Sequence, residues 1–199
     1  MSKTYVIAEI GINHNGDINL AKELIVGAYK SGCDAVKFQK RTVDEVYSKE
    51  DLDRPRESLW GSTNREQKEG LEFSIEQYKE LHRFTKKMKL DFIVSCWDLK
   101  SVDLIEKHIE VDYHKVASAL ATDKKFLQKL NETEKPVILS TGMCTTKEIE
   151  AAVALLDNVE YVLACTSTYP TEETEINLQH ISTMKEQFPN KKIGFSNHY

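Results

Sequence analysis

The 199-residue chain has no apolar run approaching the roughly 18 residues that a bilayer-crossing helix needs, so no membrane span is expected. Its start, MSKTYVIAE, has no apolar signal core with a cleavage site, which argues against secretion. There is no dense basic run and the net charge is −5, so nothing points to a nucleic-acid partner. Cysteine is sparse: Cys33, Cys96, Cys144 and Cys165 lie far apart with no CxxC pair, which favours reduced thiols in a cytoplasmic protein. A GxGxxG turn after the first apolar strand is also missing, which weakens a dinucleotide-binding reading.

What is present is ordinary for a globular chain, with 40% hydrophobic and 30% charged residues, and the length suits one compact domain with a sizeable core. Short apolar runs alternate with amphipathic segments. TYVIAEI, DAVKFQ, LDFIVSC, VDYHKVAS, KPVILSTG, VEYVLACTS and KKIGFSNH read as seven strands. Helix starts fall between them. Asp17 is a good N-cap, and Ser74 with Gln77 and Thr145 with Glu148 are capping-box pairs. Apolar strands alternating with helices imply a parallel sheet covered on both faces. Seven in series fit an α/β, (β/α)₈ TIM barrel, incomplete because such barrels typically take about 250 residues. The expected missing parts are the last helix, the last strand and the closing helix. One connection is out of proportion: residues 41–73 form a polar stretch with interspersed Tyr47, Leu59 and Trp60, read as a long loop acting as a lid.

In such a barrel the C-terminal strand ends carry the chemistry. Here they offer Glu9, Asn13 and His14, then Lys37, Gln39 and Lys40, then Ser95 and Asp98. Lys115 and Ser118, Ser140 and Thr141 beside Gly142, then Thr166, Ser167, Thr168 and Tyr169 follow, and the seventh strand ends in Ser196, Asn197 and His198. Single hydroxyls at strand ends are often helix caps. Lys37 and Lys115 are different, because each interrupts an apolar run and a buried ammonium needs a partner or a function. Two lysines with several hydroxyls describe a site for a phosphate or carboxylate. His198 alone reads more readily as a hydrogen-bonded structural histidine, and its place at a strand end after Ser196 also makes it a candidate metal ligand.

The segments IAEIGINHNGD, AVKFQKRT, NREQKEGLEFS, KVAS, ILSTGM, CTSTYPT and GFSNH, in this order over essentially the whole chain, resemble the N-acetylneuraminate (sialic acid) synthase family. The resemblance implies a partial barrel at residues 1–199, without the small C-terminal antifreeze-like domain that family members carry and with the homodimer of the complete protein. It also implies condensation of phosphoenolpyruvate with an N-acyl hexosamine, such as N-acetylmannosamine, to a nine-carbon 2-keto acid and phosphate, aided by a divalent metal, manganese or magnesium. By match to the family's positions, Lys37, Lys115, Ser118, Ser140 and Ser196 hold phosphoenolpyruvate, and Ser167 falls where some members have Asn. Gln39 and Tyr169 match sugar-side positions, Glu9 orients sugar or water, and His198 is a metal ligand. The implied chemistry is attack of the enol methylene on the open-chain aldehyde, addition of water to the resulting oxocarbenium-like centre, and expulsion of phosphate. The chain departs from the family in lacking a second metal histidine, in Leu120 where many members are acidic, and in SCWD ending the third strand. Legionaminic or related acids therefore stand beside sialic acid as products. Two other readings stay open: an inactive ligand-binding barrel fragment, and a Schiff-base aldolase using Lys115.

Overall fold

A computed structural model describes residues 3–198. Seven parallel strands run through the chain, each where an apolar run predicts one, and the chain separates into two compact units between Asp112 and Tyr113.

The first unit opens with β1 (Ile7–Gly11), α1 (Ile18–Lys30) and β2 (Ala35–Lys40). Two short helices follow, α2 (Val43–Val46) and α3 (Lys49–Asp53), then the antiparallel pair β3 (Pro55–Ser58) and β4 (Gly61–Thr63), and α4 (Asn64–Gly70). The unit closes with α5 (Ile75–Lys87), β5 (Asp91–Cys96) and α6 (Leu99–His108). Its sheet has β2 between β1 and β5, both parallel to it. In β2, Val36 and Phe38 are fully buried, and Phe38 packs against Phe92 of β5 with ring centroids 5.4 Å apart. A strand covered on both faces cannot alternate apolar and polar residues, so Lys37 stands out within it.

The stretch 41–73 is not the structureless loop that its polarity suggests. Leu52, Leu71 and Phe73 are buried, and Thr63 with Glu66 forms a capping box that starts α4. The segment is fastened at Gly16, whose φ of +72° few side chains adopt and where an added Cβ would lie 2.2 Å from the carbonyl oxygen of Gly70. Gly70 in turn lies against the Trp60 ring. Trp60 thus packs within its own segment, whereas Leu59 is 89% exposed.

The second unit repeats the β-then-α step with β6 (Tyr113–Val116), α7 (Lys124–Asn131), β7 (Val137–Ser140), α8 (Thr146–Leu155), β8 (Val159–Cys165), α9 (Gln179–Gln187) and β9 (Lys192–Ser196). Neighbours in the chain are neighbours in its parallel sheet. Val116, Val137, Ile138, Leu139 and Val162 form its centre, with Phe126, Leu127 and Leu130 of α7 packed among its buried side chains. Asp17, Ser74 and Thr145 cap their helices as the sequence indicates, Ser74 and Thr145 in full capping boxes.

Candidate active site

In the first unit the polar side chains at the strand ends form a connected row. The register places Glu9 of β1 opposite Lys37 of β2, and a bulge follows between Glu9 and Gly11. Bulges of this kind re-aim side chains at sheet rims. The Lys37 ammonium, whose side chain is 3% exposed, lies 3.0 Å from Glu9 Oε2 and donates to Ser95 Oγ of β5 at 3.0 Å. Glu9 is 44% exposed, so the pair joins a buried cation to a solvent-facing carboxylate. The buried cation is thereby compensated while one side of the carboxylate stays available to a ligand.

Gly11 continues the row. A Cβ there would sit 2.9 Å from Glu9 Oε1 and 3.4 Å from Gln39 Nε2, so the missing side chain leaves room for both polar groups. Gln39 Oε1 accepts from the Arg41 guanidinium. Glu9 of β1 thus faces Lys37, and Lys37, Gln39 and Arg41 follow at two-residue spacing along β2 and just past its end. Lys40 points the other way, is buried, and pairs with Glu72 at 2.7 Å.

His14 stands apart from this row, in the turn that follows β1. It is 2% exposed, its ring stacks on Phe73 at 4.1 Å, and its Nδ1 accepts from the Gly16 N–H at 3.0 Å. Burial pulls its imidazole down to about 4, against the raising effect of a hydrogen bond with the Gly11 backbone. It is a neutral packing residue of the β1–α1 turn.

In the second unit the hydroxyls gather around Gly142. Its N–H donates to Ser118 Oγ at 3.0 Å, and a Cβ on Gly142 would lie 1.9 Å from Ser167 Oγ. Only glycine lets these two side chains meet the backbone there. Ser140, two residues earlier, has a buried Oγ without a hydrogen-bond partner among the described residues. Buried hydroxyls are nearly always partnered, so an orphan at a strand end suits one that awaits a ligand. Thr141 is already engaged, donating to the Leu163 carbonyl at 2.8 Å. Lys115 of β6 is half-buried and makes no hydrogen bond or ion pair among the described residues, so it differs from the deeply held Lys37.

Ser167 also lines a cleft of about 340 Å³ with Met143, Glu175, Asn177, His180 and Phe195. Ser196 ends β9, opposite Cys165 of β8. Tyr169 is exposed and stacks on His198 at 3.8 Å, and the backbone N–H of His198 donates to Thr171 Oγ1 at 3.3 Å. Among the described residues no group of three His, Cys, Asp or Glu side chains is placed to hold a metal ion. His198 alone does not fit a complete manganese or magnesium site, which takes about six ligands, mostly oxygen.

A sequence model described as the NeuB family matches residues 24–199. An N-acetylneuraminate-9-phosphate synthase of Drosophila melanogaster is 37% identical over the whole chain, which spans 55% of that protein. An N,N'-diacetyllegionaminic acid synthase of Campylobacter jejuni is 36% identical, again over the whole chain and 61% of its own length. Among solved structures, the N-acetylneuraminic acid (sialic acid) synthetase of Leptospira borgpetersenii matches with a TM-score of 0.86 and 28% identity, over 99% of this chain and 66% of that one. The chain thus spans little more than half the length of the curated relatives it matches.

Proposed function

The chain belongs to the NeuB family, and from that premise we propose that it carries the catalytic strand ends of a synthase that condenses phosphoenolpyruvate with an N-acyl hexosamine to a nine-carbon 2-keto acid, releasing phosphate. The relatives it resembles are synthases of sialic and legionaminic acids, which supports a sugar-acid synthase as the class. The observation that carries the reading is Lys37. A cation only 3% exposed, held by Glu9 and Ser95 within β2, suits the phosphate or carboxylate of an anionic substrate.

In this reading the Lys37 ammonium of the first unit binds an anionic end of phosphoenolpyruvate, and the unpartnered Ser140 hydroxyl is a donor offered by the second unit. The Ser118 and Ser167 hydroxyls around Gly142 belong to the same donor class. The methylene carbon of phosphoenolpyruvate forms a bond to the aldehyde carbon of the open-chain sugar as the carbonyl π bond breaks, and the resulting alkoxide oxygen takes up a proton from solvent. Positive charge then develops at the carbon bearing the phosphate. Glu9, with its exposed carboxylate beside Lys37, offsets that charge and takes a proton from the water that adds there. Collapse of the tetrahedral intermediate breaks its bond to the phosphate oxygen. A divalent cation belongs to the proposal, with His198 as one donor, and would supply Lewis acidity toward the sugar aldehyde.

The test is phosphate release by the intact protein from phosphoenolpyruvate and a panel of N-acyl hexosamines, with manganese or magnesium supplied. At least one sugar is expected to support release, and Lys37→Ala should lower the rate by about a hundredfold or more. Silence across the panel would sink the reading.

A further inference from the structure

One buried cation of the first unit takes no part in the chemistry proposed above. Arg41 directly follows β2 and is 7% exposed, yet its guanidinium makes no ion pair among the described residues. Its Nε is buried without a hydrogen-bond partner, and the group stacks on Trp97 with its central carbon 5.1 Å from the ring centre. Trp97 is itself tied to β2, its backbone N–H donating to the Lys40 carbonyl at 3.0 Å. A desolvated, uncompensated cation is unfavourable, and stacking on one ring offsets only part of that. Among the described residues the guanidinium has a single hydrogen bond, to Gln39 Oε1.

That bond fixes which way the Gln39 amide faces. A side-chain amide has an acceptor oxygen on one side and an NH2 donor on the other, whereas a guanidinium can only donate. With Arg41 on the oxygen, Nε2 turns the opposite way, because a flipped amide would set donor against donor beside a buried charge. The Gln39 backbone is held as well, its carbonyl accepting from the phenol of buried Tyr78. Nε2 thereby faces the gap left by the absent Gly11 side chain, which Glu9 Oε1 also borders. Nε2 makes no hydrogen bond among the described residues. A carboxylate only accepts, so an acceptor and a free donor meet at one gap. A cation on the amide oxygen also draws charge away from the Nε2 hydrogens and strengthens them as donors.

Resting on the synthase reading above, we propose that Arg41 is a positioning residue: it locks the Gln39 amide so that Nε2 donates to a hydroxyl oxygen of the acceptor sugar. Arg41 touches no substrate in this arrangement and acts wholly through Gln39. The hydroxyl that accepts from Nε2 can donate in turn to Glu9, since one hydroxyl does both.

Calorimetric titration of the intact protein with N-acetylmannosamine and, separately, phosphoenolpyruvate tests this, with phosphate release measured in parallel. The proteins compared are the native chain, Arg41→Gln, Arg41→Lys, Gln39→Met and the double variant Arg41→Gln with Gln39→Met. Each of Arg41→Gln and Gln39→Met is expected to weaken sugar binding about tenfold. The double variant should bind no more weakly than Gln39→Met alone, because Arg41 then has nothing to orient. Arg41→Lys, which keeps a cationic donor, should recover part of the loss, and both Arg41 variants should bind phosphoenolpyruvate as the native protein does. Thermal unfolding identifies any variant that fails to fold. Gln39→Glu keeps an acceptor for Arg41 and removes only the Nε2 donor, so it should also lose about tenfold in sugar affinity. Additive losses of about a hundredfold in the double variant would overturn the inference. So would native sugar affinity in folded Arg41→Gln or Gln39→Glu, or an equal weakening of phosphoenolpyruvate binding by the Arg41 substitutions. Phosphate release by the native protein without this coupling refutes the inference and leaves the synthase reading standing. The coupling in sugar binding without phosphate release does the reverse.

Discussion

At the scale of single residues, burial decides which polar groups are available for chemistry. His14 is held neutral by burial, with its imidazole at about 4 in the folded protein and near 6.5 when unfolded. The unfolded chain therefore binds the extra proton between these values. The stability that His14 contributes is fully present above about pH 6.5 and is lost as pH falls toward 4, with a ceiling of about 3 kcal/mol. Denaturant unfolding at pH 4.5 and pH 7 is expected to show a smaller loss of stability in His14→Gln than in the native chain. An equal loss would mean that the imidazole is not desolvated. Ser140 makes the opposite case. Its orphaned hydroxyl contributes nothing to the fold, so Ser140→Ala should leave the unfolding temperature unchanged or slightly raised. The KM for phosphoenolpyruvate should rise several-fold to tenfold in the intact enzyme. Destabilisation with an unchanged KM would assign the hydroxyl a structural role.

At the scale of elements, the strands were legible because fully apolar runs bounded by polar residues have few other solutions. Helix starts were legible because Asp17, Ser74 and Thr145 cap by their own side chains. The segment 41–73 was not, since its short elements are polar and are fastened by backbone contact at Gly16 and Gly70, a signal that no periodicity carries. That is also why Arg41 escaped notice. It looks like the first residue of a loop, whereas its two-residue spacing from Gln39 and Lys37 continues the side of β2 that bears the chemistry. Lys37 and Lys115 read alike in the sequence, and only the folded chain separates the paired, buried cation from the half-buried one. Gly16→Ala is predicted to cost several kcal/mol, because the new methyl meets a backbone oxygen at 2.2 Å in a conformation with φ of +72°. Thr145→Ala, which removes one capping box, should cost only about 1 kcal/mol. Unfolding curves of the two variants check the ranking, and comparable losses would contradict the fastening role given to Gly16.

At the scale of the whole molecule, seven parallel strands in two units and a family match over residues 24–199 give the scaffold its class. The boundary between Asp112 and Tyr113 left no trace in composition, since β5 and β6 are both apolar strands of the same repeating step. The proposed function rests on the strand ends of each unit. The proposed chemistry makes one demand that competing routes from phosphoenolpyruvate do not share: water adds to carbon, and the carbon–oxygen bond breaks. The direct measurement is turnover of phosphoenolpyruvate carrying a heavy-oxygen label in its bridging enol oxygen, by the intact protein with its best acceptor sugar. Mass spectrometry is predicted to find the label in the released phosphate. Label retained in the keto acid product would mean cleavage at phosphorus, and would contradict the account.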